Sequence, residues 1–191
     1  MRSPFHFIIK PLGGKRYDNI RKYGDNELII SSSQEDHTVS NRFGVVISTP
    51  EYYKGEIEQG DLLVVHHNIF KKYYDMKGTE QSSPSFFKDD IYLITEDQFF
   101  LYSRGGKWLS PGDCCFVKPI NSDSVTLFNH NGENHSIAPL LGKVKYGNEM
   151  LSEMGVKVGD TISFQPDSEY EFSIDGEILY RMYNRNICIK I

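Results

Sequence analysis

A chain of 191 residues that is 39% hydrophobic and 13% aromatic has enough apolar material for a core, which excludes an intrinsically disordered protein. Its net charge of -5, with 26 acidic against 21 basic residues and no long run of one sign, argues against binding nucleic acid by phosphate neutralisation. Apolar runs such as Leu62 to Val65 are far too short to cross a bilayer, and no sustained apolar segment follows Arg2, so neither a membrane partner nor a signal peptide is expected.

Along the chain, short runs rich in Val, Ile, Phe and Tyr alternate with Gly, Asn, Asp, Ser and Pro, the pattern of brief β-strands separated by turns. The first such run is Phe7 to Leu12. A polar stretch follows with Lys15, Arg16, Asp18, Arg21, Lys22 and Asp25, too poor in apolar residues to fold alone. Within it sits the aliphatic triplet Leu28-Ile29-Ile30, flanked by Asn26-Glu27 and Ser31-Ser32-Ser33. Two readings stay open for the triplet: an exposed contact loop, or a core strand. Phe43 to Val46 is the next strand, and Gly60-Asp61 opens the strand Leu62 to Val65 through a turn that Asp supports. His66 and His67 are read as strand neighbours facing opposite ways, and so not a metal site. The stretch from Asn68 to Lys88 carries Phe70, Tyr73, Tyr74, Met76, Phe86 and Phe87, which are expected to pack.

Residues 103–112, rich in Gly, Ser and Pro, read as a linker between a first unit, 1–102, and a second, 113–191. Cys114 and Cys115 stand at a strand entry; with Cys188 they make three cysteines, which is no disulfide framework, and no CxxC spacing is present. Reduced thiols and a cytoplasmic location are expected. Between Asn121 and Leu140, Val125 to Phe128 followed by Asn129-His130-Asn131-Gly132 reads as a tight hairpin. Glu149 to Met154 is the best helical candidate, barely one turn. The chain closes on the strand Ile187 to Ile191.

The strongest signal is that these elements repeat in order. Phe7-Ile8-Ile9-Lys10-Pro11-Leu12 matches Cys115-Phe116-Val117-Lys118-Pro119-Ile120, and Phe43-Gly44-Val45-Val46 matches Leu141-Gly142-Lys143-Val144. Gly60-Asp61-Leu62-Leu63-Val64-Val65 matches Gly159-Asp160-Thr161-Ile162-Ser163-Phe164, and Asp90 to Ile94 matches Glu177 to Arg181. The first copy carries longer insertions before its second landmark and after its Gly-Asp strand, and function tends to lie in such loops.

This order, with Gly155-Val156-Lys157-Val158-Gly159-Asp160-Thr161-Ile162-Ser163-Phe164 and Ile174 to Leu179 as its nearest match, resembles the GroES-like co-chaperonin family over nearly the whole chain outside the linker. The resemblance implies an all-β protein of two GroES-like small β-barrels in tandem. It implies a cap that closes the folding chamber of an ATP-driven, GroEL-type chaperonin in its nucleotide-bound state, as part of a homo-oligomeric ring. Leu28, Ile29 and Ile30 match the family's docking triplet, although Asn26-Glu27 stand where the family favours paired glycines. Chaperonins of this class present an odd number of equivalent sites, which two repeats per chain do not match directly, so ring stoichiometry stays open. No residue set supports catalysis, nucleotide binding, a cofactor or a metal, so an enzyme is not expected. An alternative is a structural or adaptor protein, such as one of a phage particle, that reuses the barrel without chaperonin binding; a viral chain would work in the host cytoplasm.

Overall fold

The computed structural model describes residues 1–18, 20–23, 26–29, 39–120 and 140–191, with the backbone alone at 20–23 and 26–29. The chain divides into two units, Met1–Lys107 and Trp108–Ile191. Both are β-rich and built from antiparallel ladders. No helix among the described residues is long and apolar enough to cross a membrane.

The first unit holds β1 (Phe7–Pro11), a ribbon of β2 (Ile20–Tyr23) and β3 (Asn26–Ile29), then β4 (Phe43–Ser48) and β5 (Leu62–Val65). A hairpin of β6 (Lys72–Tyr74) and β7 (Glu80–Ser82) precedes β8 (Phe86–Lys88), β9 (Ile91–Ile94) and β10 (Phe99–Arg104). Six of these run side by side in the order β10-β5-β4-β1-β9-β8, within a seven-stranded sheet whose β10 edge carries one further short strand. Residues 103–112, read as a linker, hold the end of β10, a Gly105-Gly106 turn and the short strand β11 (Lys107–Leu109), where the chain passes into the second unit.

The second unit holds β12 (Cys114–Pro119), β13 (Leu141–Tyr146), a single helical turn α1 (Glu149–Glu153), β14 (Thr161–Phe164), β15 (Tyr170–Ile174), β16 (Glu177–Tyr183) and β17 (Ile187–Lys190). Its sheet runs β17-β14-β13-β12-β16-β15, the first unit's order with each strand replaced by its counterpart. Registers agree as well. Pro11 faces Gly44 and Ile9 faces Val46 across a bulge after Ile8; Pro119 faces Gly142 and Val117 faces Val144 across a bulge after Phe116. Ile9 faces Tyr92 on its other side as Val117 faces Tyr180. The tandem barrels implied by the resemblance are not closed here, because among the described residues no ladder joins β8 to β10 or β15 to β17.

The Gly-Asp landmarks are the same turn built twice. Gly60 and Gly159 sit at φ 94° and 97°, the left-handed region where a side chain is strained. Each glycine N–H donates to a valine carbonyl at 2.8 Å, from Gly60 to Val46 and from Gly159 to Val144. The carboxylate that follows accepts a backbone N–H three residues upstream: Asp61 from Glu58 at 2.9 Å, Asp160 from Lys157 at 2.8 Å. Each is also paired with the end of the neighbouring strand, Asp61 with Arg104 at 2.9 Å and Asp160 with Lys190 at 2.7 Å.

Alternation sets the cores, since successive strand residues face opposite sides. In the first unit Phe7 lies edge-on to Tyr53 and Phe99, with ring centroids at 4.8 and 5.2 Å. Phe70 and Phe86 pack against Tyr92 at 4.7 and 5.5 Å. Each buried aromatic side chain contributes about 1.5–3 kcal/mol of transfer free energy. In the second unit Cys115, Val117, Val144, Leu151, Ile162, Phe164 and Met182 form one buried cluster.

Candidate functional site: the arm of the first unit and its root

The segment between β1 and β4 carries the candidate contact residues. Its polar sequence points to an unpaired loop, yet β2 and β3 pair antiparallel, with Ile20 opposite Ile29, Arg21 opposite Leu28 and Tyr23 opposite Asn26. Isoleucine and tyrosine at the ends of the paired stretches favour extended backbone, which the low overall hydrophobicity hides. Among the described residues the ribbon is a sheet of its own, hydrogen-bonded to neither large sheet. Leu28 and Ile29 therefore belong to no ladder of the first unit's core sheet. Ile30 and Ser31-Ser32-Ser33 lie outside the described residues.

The arm leaves and re-enters the unit through a closed root. Tyr17 bridges Ser40, Asp18 donates its N–H to the Val39 carbonyl at 2.8 Å, and Asn41 donates to the Arg16 carbonyl at 2.9 Å. The Asn41 side chain closes the entry further. Its Nδ2 donates to the carbonyls of Leu12 and Lys15 at 3.1 and 2.7 Å, and its Oδ1 accepts the Phe43 N–H at 2.9 Å.

The second insertion packs on this root. The Tyr17 hydroxyl oxygen accepts the Lys72 N–H at 2.7 Å, and Ser40 Oγ donates to the His67 carbonyl at 2.8 Å. Burial pushes the Tyr17 phenol pKa up, more than the Lys72 N–H draws it down. Arg16 is held on three sides. Its Nη1 donates to Ser82 Oγ at 3.1 Å, its Nη2 pairs with Asp90 Oδ1 at 3.3 Å, and its guanidinium lies 4.7 Å from the Phe86 ring centroid. Nothing in the sequence marks Arg16, Tyr17 or Asn41; their roles exist only once the two insertions are folded together.

The aromatics of 68–88 divide between two roles. Phe70 is buried, whereas Tyr73, Tyr74, Met76 and Phe87 are exposed, so the expectation of packing holds for only part of the set. Met76 stands fully exposed at the β6–β7 tip, where Asp75 Oδ1 accepts the N–H groups of Lys77 and Thr79 at 2.9 Å each.

The remaining candidates are structural. β5 ends at Val65, so His66 and His67 do not alternate as strand neighbours; their rings lie 4.2 Å apart, and His66 Nδ1 accepts the Asn68 N–H at 3.2 Å. Among the described residues no group of three or more His, Cys, Asp or Glu is placed to hold a metal ion. Cys114 and Cys115 open β12 as buried free thiols, and burial pushes the Cys115 pKa up to about 12, far from a reactive thiolate. The second unit's equivalent of the arm, with Val125 to Phe128 and the hairpin signal Asn129 to Gly132, lies outside the described residues. In comparisons with known proteins, neither a family model nor a curated sequence matches the chain.

Proposed function

We propose that the chain is a tandem GroES-like co-chaperonin, which docks on an ATP-driven, GroEL-type chaperonin through the first unit's arm and closes its folding chamber. The observation that carries this reading is the β2–β3 ribbon, which holds Leu28 and Ile29 on backbone that no core sheet uses. The shared strand order and register of the two units support a duplicated, barrel-like domain, as the family resemblance requires.

Energetics suit a lid that must also come off. Full burial of an aliphatic side chain gains about 1.5–3 kcal/mol. Ordering the chain around it costs roughly 1–2 kcal/mol per residue. One arm therefore binds weakly, and several arms on one oligomer bind by avidity. The chemistry of protein folding is thus left to the partner's ATPase, and this chain supplies closure.

The test is complex formation on sizing, with purified chaperonin and ATP, for the intact chain and for Ile29→Asp. The intact chain is expected to co-elute and the variant to remain free. If the intact chain does not co-elute, the capping function is wrong and the adaptor reading takes its place. Equal co-elution of both proteins would remove the arm from the interface.

A further inference from the structure

Docking through Leu28, Ile29 and Ile30 gives the second insertion, residues 66–90, no task, yet five of its groups reach the root of the arm. Lys72 and His67 bond Tyr17 and Ser40, on the outgoing and returning sides respectively. Ser82, Phe86 and Asp90 enclose the Arg16 side chain, which is only 17% exposed. Arg16 is itself bonded through its carbonyl to the returning Asn41. Both ends of the arm are thus fastened to the same inserted segment.

Asp90 adds an independent indication. The β8–β9 turn puts Asp89 and Asp90 at φ 49° and 55°, and the β15–β16 turn puts Asp175 and Gly176 at 51° and 78°. Two positive φ values in a row make the turn that favours Asn-Gly or Asp-Gly. The second unit carries glycine at the second position, as that turn prefers. The first unit carries Asp90 there, and its carboxylate is the one that pairs with Arg16. A position that favours glycine thus carries a side chain whose partner among the described residues is Arg16, at the root of the arm.

The geometry points to the second insertion as the anchor of the arm, with Arg16 and Tyr17 as positioning residues that set where the arm leaves the unit and pass its docking on to the β6–β7 hairpin. A fixed root narrows the space an arm must search and lowers the ordering cost of binding. Coupling of this kind is reciprocal: loosening the insertion weakens docking, and docking protects the hairpin. The consequence for docking rests on the co-chaperonin reading; the anchor itself does not.

The experiment uses the full chain with Asp90→Gly, which keeps the turn and removes the carboxylate, and Arg16→Met, which keeps much of the packing volume. Amide hydrogen exchange is read at Asp18 and Asn41. Exchange there is expected to quicken about fivefold in both variants, the upper end of what a solvent-exposed ion pair contributes, with β12 and β16 unchanged. Rates within twofold of the intact chain in both variants would overturn the anchor. Affinity for the chaperonin with ATP is then compared. The expected result is about threefold to fivefold weaker binding of Asp90→Gly at unchanged thermal stability, with docking of the intact chain slowing exchange across Lys72–Ser82. Equal affinity would overturn the coupling. If the intact chain forms no complex, the co-chaperonin reading fails, and the exchange rates at Asp18 and Asn41 still decide the anchor.

Discussion

Tyr17 and Lys72 are joined by a 2.7 Å hydrogen bond from the Lys72 N–H to the phenol oxygen, across 55 positions of sequence. Because burial raises the phenol's pKa, it stays neutral through the physiological range and keeps its acceptor role. Tyr17→Phe takes that acceptor away from the Lys72 N–H. The expected cost is about 0.5–1.5 kcal/mol, the net worth of a hydrogen bond whose half-buried donor water can still reach. Hydrogen exchange in denaturant resolves it: first-unit amides lose protection, while the amides of β12 and β16 in the second unit keep theirs. Identical first-unit protection in both proteins would show that the bond adds nothing.

Tyr92 is fully buried between Phe70 and Phe86, and among the described residues its hydroxyl has no hydrogen-bond partner. Burial is the main reason its pKa is pushed up to about 12, against a smaller downward pull from Arg16. The unfolded phenol ionises near pH 10. The folded state's advantage is complete below pH 10 and is lost as pH rises from 10 to 12. Tyr92→Phe removes both the unpaired hydroxyl and that alkaline limb. Stability at pH 7 is expected to stay level or rise by about 1 kcal/mol, with a flatter decline above pH 10, read from denaturant midpoints across pH. A loss of stability at pH 7 would mean that the hydroxyl has a partner.

Gly44 and Gly142 occupy the same place in the two units, each facing a proline of the neighbouring strand, but they differ in what surrounds them. A Cβ on Gly142 would run into Val117 Cγ1 and come within 3.0 Å of the Lys118 carbonyl oxygen, which is backbone and cannot turn aside. On Gly44 it would meet Ile9 Cδ1 at 2.9 Å and Phe70 Cζ at 3.3 Å, both of them side-chain ends. Overpacking of this kind costs about 1–3 kcal/mol. Gly142→Ala is expected at or above the top of that range and Gly44→Ala near the bottom, measured as unfolding of the respective unit. The reverse order would show that β12 shifts more easily than β1.

Much of this architecture is written in local residue patterns. The first three paired landmarks keep their register in the structure because each rests on short-range chemistry: a glycine at positive φ, an Asp bonded three residues back, a glycine where two strands come close. The fourth, Asp90 to Ile94 against Glu177 to Arg181, is out by one residue, since Ile9 faces Tyr92 where Val117 faces Tyr180 and not Leu179. Asp175-Gly176 is likewise a turn that two letters announce. The β2–β3 ribbon is less legible, since its pairing depends on register between residues that look merely polar. The root of the arm is not legible at all. Arg16, Tyr17 and Asp90 acquire meaning from contacts between distant insertions, and such contacts leave no periodicity in one sequence.

Glu177 begins β16 with Lys145 at 2.8 Å and Lys118 at 2.9 Å from its two carboxylate oxygens. The Lys145 bond, then the Lys118 bond, hold its pKa at about 2, below the usual carboxylate value. The unfolded glutamate titrates near pH 4.3. The stabilisation is therefore present above that pH and is lost as pH falls from there towards 2. Because all three side chains reach solvent, salt screens the effect. Glu177→Gln is expected to flatten the acid limb of second-unit stability, followed by amide exchange of β12 and β16 in denaturant, compared between the two proteins at pH 6 and at pH 3. Added salt should bring the intact chain towards the variant. Should the variant keep the intact chain's acid slope, the pH dependence of this unit belongs to another carboxylate, and Asp160, which Lys190 holds below its ordinary pKa, is the next to replace.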